Sequence, residues 1–575
     1  MPAPSYIYKY ITTMKNHFRL FILLLLTLTV SAVSTPLQAK DKTDNAALIT
    51  VTSYDRQGKV IRSDNGFYID GQGEALSTYD VFKDAYSAKI KDSKGKVHNV
   101  TRISGANDLY NIVRFRTDAG STACLKLAAA PISTGTQVSI LSATKGAPST
   151  SATISKVEDQ DNIKYYTLGR KLANLYAGCP LANPQGEAVA IMQRNTDRDA
   201  QNSFALDIAF VRLLVPSGMT AAQIAINKIH IPKLLPDGEA QARTFICLMP
   251  QNSQDSVSYL TAIDDYIKAY PQQSIGYTQL AAYHASLGQY AKADADYEQA
   301  LSQSNQRADV HYEKSKLIYR LNMIPSYQQY KDWNMDKSIA EAEAAYAENP
   351  IALFLLQKGD AQFAKKQYQE AYDTYQQVNQ TNIASPQTFA AASVAAEMAG
   401  KDSTTILSLL DSAVNRFPKP YPKSAALYLL QRATHLHAYG QYAAAAADYQ
   451  RVEDLQGTTK LNDNFYFQKY QCDTYAQYYP VALRDIEKAL SYKPQDYSYL
   501  VEKALAEWRM GDYDEAIYAA QEAIKQNPNG HDAYKALGIA QAEKGDKANA
   551  LRNLAKAKEL GDTQAQGLID SLKGK

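Results

Sequence analysis

The sequence predicts two fold classes in one chain: a closed all-β barrel or pair of barrels first, then an all-α repeat solenoid. Three observations carry this. Residues 463–496, 497–530 and 531–564 repeat every 34 residues, with Ala482, Ala516 and Ala550 in one register and Ala489, Ala523 and Ala557 in another. From Ala47 to Val215 the texture is different, with short alternating apolar runs separated by Asp, Gly, Asn and Ser turns. At 575 residues the chain is long enough for two or three domains.

The repeat has a physical logic. Two short helices cross closely only where both carry small side chains, which accounts for the alanines. Gly511-Asp512 returns as Gly545-Asp546, where the turn between helices is tight, and Pro494 and Pro528 stop the second helices. One such unit cannot bury its own apolar face, so stacking is obligatory. In the 497–530 unit the set Leu500, Ala504, Gly511, Tyr513, Ala516, Ala520, Ala523 and Pro528 resembles the tetratricopeptide repeat. About eight units are expected between residues 255 and 570. The first has Tyr277, Ala281, Gly288 and Tyr290; the second, near 308–350, is stretched by an insertion around Ile324–Asn334; the fourth, 387–420, is degenerate. Ser256–Pro271 reads as a lone capping helix. Residues 216–254, punctuated by Pro216, Gly218, Pro232, Pro236 and Gly238, read as a connector with a short helix at Ala221–Lys228.

The resemblance implies a groove lined by set positions of each first helix. These are Leu353, Leu356, Asp360 and Phe363 in the third unit, Asn464, Phe467, Gln471 and Thr474 in the sixth, and Ser498, Val501, Leu505 and Trp508 in the seventh. The mixture is apolar and aromatic, which suits an extended peptide or a partner's helix. Phe363, Phe467, Leu505 and Trp508 are the candidate binding residues. Phe467 and Trp508 have an equal claim as packing between neighbouring units. Most of the 42 tyrosines fall at repeat positions and are expected to pack helix on helix.

Charge and composition exclude several classes. With 61 basic and 59 acidic residues the net charge is +2, which leaves no large footprint for nucleic acid. Eight histidines and four cysteines are too few and too scattered for a metal cluster, and no cofactor is expected. Residues 1–39 read as a secretory signal. Met14, which is a candidate for the true start, Lys15, His17 and Arg19 precede the apolar run Leu20–Val30, and a cleavage site follows after Ala39. That run is too short to span a bilayer comfortably, and no cysteine sits at the cleavage site for a lipid anchor. A periplasmic or secreted protein with no membrane span after cleavage is expected.

Within 45–215, strands are expected at Ala47–Tyr54, on both sides of the Asp70–Gly73 turn, on both sides of Ser93-Lys94-Gly95, and at 112–116, 137–141, 152–157, 165–168 and 188–193. Three segments carry a second resemblance: Leu76-Ser77-Thr78-Tyr79-Asp80-Val81, Asp108-Leu109-Tyr110-Asn111-Ile112-Val113, and Leu175-Tyr176-Ala177-Gly178-Cys179-Pro180-Leu181-Ala182-Asn183 with Gly186. Their order is similar to that of trypsin-like serine peptidases, closest to the exported bacterial branch, and implies their double barrel. The motifs there are Leu-Thr-Asn/Ala-x-His-Val-Val, Asp-Leu-Ala-Leu/Ile-Leu and Gly-x-Ser-Gly-Gly-Pro-Leu-x-Asn.

The departures matter more than the matches. The resemblance places Ala177 where the nucleophilic Ser stands and Asp80 where the His stands, and leaves Asp108 as the orienting Asp. Ala177 has no nucleophilic atom and Asp80 cannot do imidazole chemistry near neutral pH. Losing Ser or His alone costs orders of magnitude in rate, so the barrel is expected to be a silent peptidase with three vestigial positions and its cleft kept for docking peptides. The alternative is an active trypsin-like endopeptidase whose substrates the repeats recruit. Cys179, two residues past Ala177, lacks a nearby base, since His98 sits in a hairpin elsewhere. Cys124, Cys179, Cys247 and Cys472 are either buried small residues or disulfide partners, and three pairings are open. Asp80 either partners a group in the old cleft or is a solvated turn residue, the second favoured because an unpaired buried carboxylate is costly.

Overall fold

The structure is a computed structural model that describes residues 45–160, 163–197, 199–249, 256–327, 330–457 and 460–574. The expected signal segment lies outside the described residues. The chain forms two compact units: the first runs to Pro216 and takes in Gln223–Leu234, the second holds Ser217–Ala222 and everything from Leu235.

The first unit contains two closed six-stranded barrels. One is built from β1 (Leu48–Tyr54), β2 (Val60–Tyr68), β3 (Glu74–Ser77), β4 (Ser87–Asp92), β5 (Val97–Asn107) and β6 (Ile112–Thr117). The other uses β7 (Gln137–Ile140), β8 (Thr150–Gln160), β9 (Ile163–Leu168), β10 (Pro180–Ala182), β11 (Ala188–Met192) and β12 (Ser203–Asp207). The first closes in the order β1-β2-β3-β6-β5-β4, and the second, read from β7, in the order β7-β8-β9-β12-β11-β10. Both barrels follow one path, so the unit is a duplicated topology that fits a trypsin-like fold. Closure pairs both edge strands of each sheet among the described residues. In β4 alternate residues turn inward, with Ala88 and Ile90 buried between exposed Ser87, Lys89 and Lys91.

The described residues 216–249 of the expected connector are divided between the two units. Ala225, Ile226, Ile229 and Ile231 join the core of the first barrel beside Val81 and Phe115, because this apolar cluster is buried there rather than left in solvent. The short helix expected at Ala221–Lys228 spans Ile224–Asn227.

The second unit stacks eight helix pairs among its described residues: 274–286 with 290–303, 307–322 with 335–348, 352–364 with 368–379, 386–398 with 403–415, 426–438 with 442–456, 463–475 with 479–492, 497–510 with 513–526, and 531–543 with 547–559. A leading pair, 239–248 with 256–269, precedes them, so the expected lone cap has a partner helix. A last helix, Ala565–Gly574, follows them. Small residues sit where the helices cross: a Cβ on Gly359 would lie 2.8 Å from the Tyr375 ring, and one on Gly538 2.8 Å from Leu554. Gly511 ends its helix in the left-handed region at φ +83°, which a side chain resists. Tyr259, Tyr266, Tyr297, Tyr449, Tyr466 and Tyr470 are fully buried between helices. Among the described residues no helix is long and apolar enough to cross a membrane.

Candidate functional site

The cleft of the first unit lies where β2 of one barrel meets the segment before β10 of the other. Thr50, Ser63, Asp64, Asn65, Thr144, Asn174, Leu175 and Arg194 line a cavity of about 360 Å3 there. Ala177 is buried and offers a methyl group. Residues Asn174–Tyr176 form one turn of 3-10 helix, so the Ala177 N–H donates to the Asn174 carbonyl at 3.1 Å. The Ala177 carbonyl accepts from the Asn65 N–H at 3.3 Å and from its Nδ2 at 2.9 Å. Asn65 Nδ2 also donates to the Leu175 carbonyl at 2.7 Å, and its Oδ1 accepts from the Thr144 hydroxyl. A second amide acts alike: Asn174 Oδ1 accepts the Asn195 N–H at 2.8 Å while its Nδ2 donates to the Asn195 carbonyl at 3.1 Å. Two asparagine side chains thus satisfy main-chain groups at the edge of the cleft.

Asp80 is half-buried and engaged. Its carboxylate lies 3.3 Å from Arg62 and 3.8 Å from Arg194. Its N–H donates to Asn111 Oδ1 at 2.9 Å, and Asn111 Nδ2 reaches its carboxylate at 3.5 Å. Asn111 therefore meets Asp80 alongside the two arginines, whereas Asp108 is exposed in the turn before β6. Sequence carried a signal for this: Asn111 immediately precedes the apolar strand Ile112-Val113, as the motif's Asp does, and Asp108 stands three residues early. Arg194 also pairs with the buried Asp64, which accepts from Thr78 at 2.7 Å. Burial raises the Asp64 carboxyl above its ordinary range, against that hydrogen bond and the Arg194 charge.

The thiols are unpaired. All four cysteines are free, with Cys179 and Cys472 buried and Cys124 and Cys247 exposed. Burial pushes the Cys179 thiol up to about 12, so it carries almost no thiolate at neutral pH and is a poor nucleophile.

In the helical unit, Phe363, Phe467 and Leu505 are half-buried and pack against the cores of their repeats. Phe467 lies 5.0 Å from the Tyr499 ring of the next repeat and 6.0 Å from Tyr470. Trp508 is half-buried, with the Arg509 guanidinium 6.0 Å above its ring. Leu353, in the groove set, is exposed.

A charged ladder, not anticipated from sequence, ties the repeats together. A basic residue stands directly before the crossing position in five first helices: Lys314, Lys358, Arg432, Lys469 and Lys503. Each reaches an acid on the second helix of the preceding repeat: Glu298 at 3.0 Å, Glu343 at 2.8 Å, Asp411 at 2.8 Å, Glu453 at 3.5 Å and Glu487 at 3.2 Å. The 34-residue step from Lys469 to Lys503, repeated from Glu453 to Glu487, was the available signal. Among the described residues one grouping has metal-ligand character, His531, Asp532 and Asp562. The Lys535 ammonium already stands 2.7 Å from Asp562 and 3.4 Å from Asp532.

Stacked helix pairs with this period and these crossing residues make the second unit a repeat solenoid. In keeping with that, the family model described as tetratricopeptide repeat matches residues 475–523 and 501–565. Among curated proteins the chain is similar to a "Protein SGT1 homolog" of Bos taurus, 30% identical over 84 residues, or 15% of this chain. The match spans a quarter of that relative's length.

Proposed function

We propose that this chain is an exported protein-binding scaffold, periplasmic or secreted, in which the repeat groove holds peptide or protein partners and the trypsin-like double barrel no longer cuts. The single observation that carries the silent barrel is the state of Ala177. It has no nucleophile, its N–H is committed to Asn174, and its carbonyl is taken by Asn65. An oxyanion site needs main-chain donors left free for developing charge. Asn111 stands in the orienting position beside Asp80, where an amide and a carboxylate supply no proton relay. The resemblance suggested a cleft kept for peptides; with Asn65 and Asn174 already bonded to its main-chain edges, binding is assigned to the groove instead. Repeats of this kind present an extended surface suited to peptides and helices. Export rests on residues 14–39.

Two measurements test this reading. Purified full chain is expected to take no label from a fluorophosphonate probe and to leave casein intact. Labelling or cleavage would establish the other reading, an active endopeptidase with recruiting repeats. Used as bait in envelope extract, the full chain is expected to lose its bound proteins about tenfold on Trp508→Ala with Leu505→Ser, at unchanged helical content. Equal recovery by the two baits places the contact elsewhere.

A further inference from the structure

Asp473 and Glu507 stand 34 residues apart, at the same position of the first helix in the sixth and seventh repeats. Both residues are buried, each only 3% exposed. Each keeps a buried oxygen without a hydrogen-bond partner, Oδ2 of Asp473 and Oε2 of Glu507. Each follows the ladder lysine by one turn, and in both places that lysine is shared. Lys469 lies 3.7 Å from Asp473, 2.5 Å from Asp485 and 3.5 Å from Glu453. Lys503 lies 3.4 Å from Glu507 and 3.2 Å from Glu487.

The groups facing each carboxyl come from all the packed helices. Around Asp473 they are Lys469 on its own helix, Asp485 and Arg484 on the second helix of the repeat, and, through Lys469 and Lys488, Glu453 of the preceding repeat. Around Glu507 they are Lys503 on its own helix, Glu515 on the following helix and Glu487 on the preceding one. Around Asp473 three buried acids share the buried Lys469, while the more exposed Lys488 and Arg484 reach Glu453 and Asp485. Glu507 is the buried acid of its cluster, beside the partly exposed Lys503 and Glu487. At each place a buried carboxyl keeps an oxygen without a hydrogen-bond partner beside a lysine already shared with another acid, and a proton is the smallest group that lifts the cost of burying that charge.

We propose that the sixth and seventh repeats are tightened by protons: Asp473 and Glu507 hold theirs while the helices are seated, and both repeats loosen as the surroundings turn from acid to neutral. Burial raises both carboxyls to about 7; Asp485 pushes Asp473 further, and Glu515 and Glu487 push Glu507. A carboxyl raised in the seated state keeps a proton that the opened state, titrating near about 4, has released. Each group therefore stabilises the seated state in acid. That contribution is lost as pH rises between about 4 and about 7, and stays level above. Linkage gives on the order of tenfold in the opening equilibrium per pH unit and per group in that window. Gln471, Thr474, Leu505 and Trp508 ride on the same two helices, so partner binding there, on the reading proposed above, is linked to the same protons.

Cys472 supplies a readout that needs no partner. It is fully buried beside Asp473, while Cys124 is exposed and serves as reference in the same sample. The full chain is alkylated with N-ethylmaleimide at pH 5.5, 6.5 and 7.5, and labelling at the two cysteines is read by peptide mass spectrometry. The Cys472-to-Cys124 rate ratio is expected to rise at least about tenfold across this range. With Asp473→Asn and Glu507→Gln together the rise is expected to shrink below about twofold, because neither group titrates. Should that pair fail to fold, Glu507→Gln alone is expected to keep only part of the wild-type rise. A flat wild-type ratio, or a variant that retains the full rise, overturns the proposal.

Discussion

The cleft of the barrels and the ladder of the repeats use similar side chains to opposite ends. In the cleft, polar groups close on one another: Asn65 makes three bonds to the neighbouring barrel's segment, Asn174 closes two onto Asn195, and Arg194 is paired with Asp64. In the repeats, one buried lysine is divided among several acids, and carboxylate oxygens are left over. A saturated network is rigid and chemically quiet, and an unsaturated one responds to protons or partners. The difference teaches that the same kinds of polar side chain close a cleft when each donor meets its own acceptor, and leave a responsive cluster when one donor is divided among several acids.

The strongest test of the saturated side is Gly178→Ala. Gly178 has φ +80°, and a Cβ there would stand 2.9 Å from the carbonyl carbon of Asn65 and closer still to its oxygen. Both the backbone conformation and the β2 contact oppose any side chain. A loss above about 4 kcal/mol is expected, read as collapse of hydrogen-exchange protection across 60–68 and 175–182. Retained protection would show that the two barrels can separate at this seam without unfolding. On the unsaturated side, Lys469→Met leaves Glu453, Asp473 and Asp485 around an uncharged side chain. The cost is expected at about 3 kcal/mol near pH 7.5, followed by urea denaturation of the helical signal. It should shrink at pH 5.5, where Asp473 takes up its proton; a cost independent of pH would separate the lysine from that carboxyl.

Legibility in the sequence followed period and locality. The solenoid was readable because small residues recur every 34 positions and Gly359 and Gly538 are demanded by a ring or a Leu against them. The barrels were readable because β1, β4 and β11 carry local apolar patterns and turn residues. The motif segment around Gly178 was readable because its left-handed glycine, β10 and β11 are contiguous. Contacts that cross the chain were not. Asn65 lies 112 residues from Ala177, and Arg194 lies 130 from Asp64, with no local pattern to announce either pair. Residues 223–234 read as a connector because their burial depends on a barrel wall more than a hundred residues away in sequence. Asp80 read as a solvated turn residue because Arg62 and Arg194 are distant in sequence.

Asp80 also gives the smallest expected effect and the finest test of how saturated the cleft is. Its carboxylate is 35% exposed and its nearer partner, Arg62, is 42% exposed. Water and salt therefore screen the pair, and the entropy of two held side chains offsets much of the attraction. The Asn111 bond to the Asp80 main-chain N–H survives any side-chain change. Asp80→Ala is accordingly expected to cost under about 1 kcal/mol, less in 0.5 M salt, by thermal denaturation of the β signal. A cost of 2 kcal/mol or more that resists salt would mean that Asp80 shares the desolvated network of Asp64 and Arg194. The cleft would then close as one cooperative unit, and Arg194 would be the residue through which its two barrels are coupled.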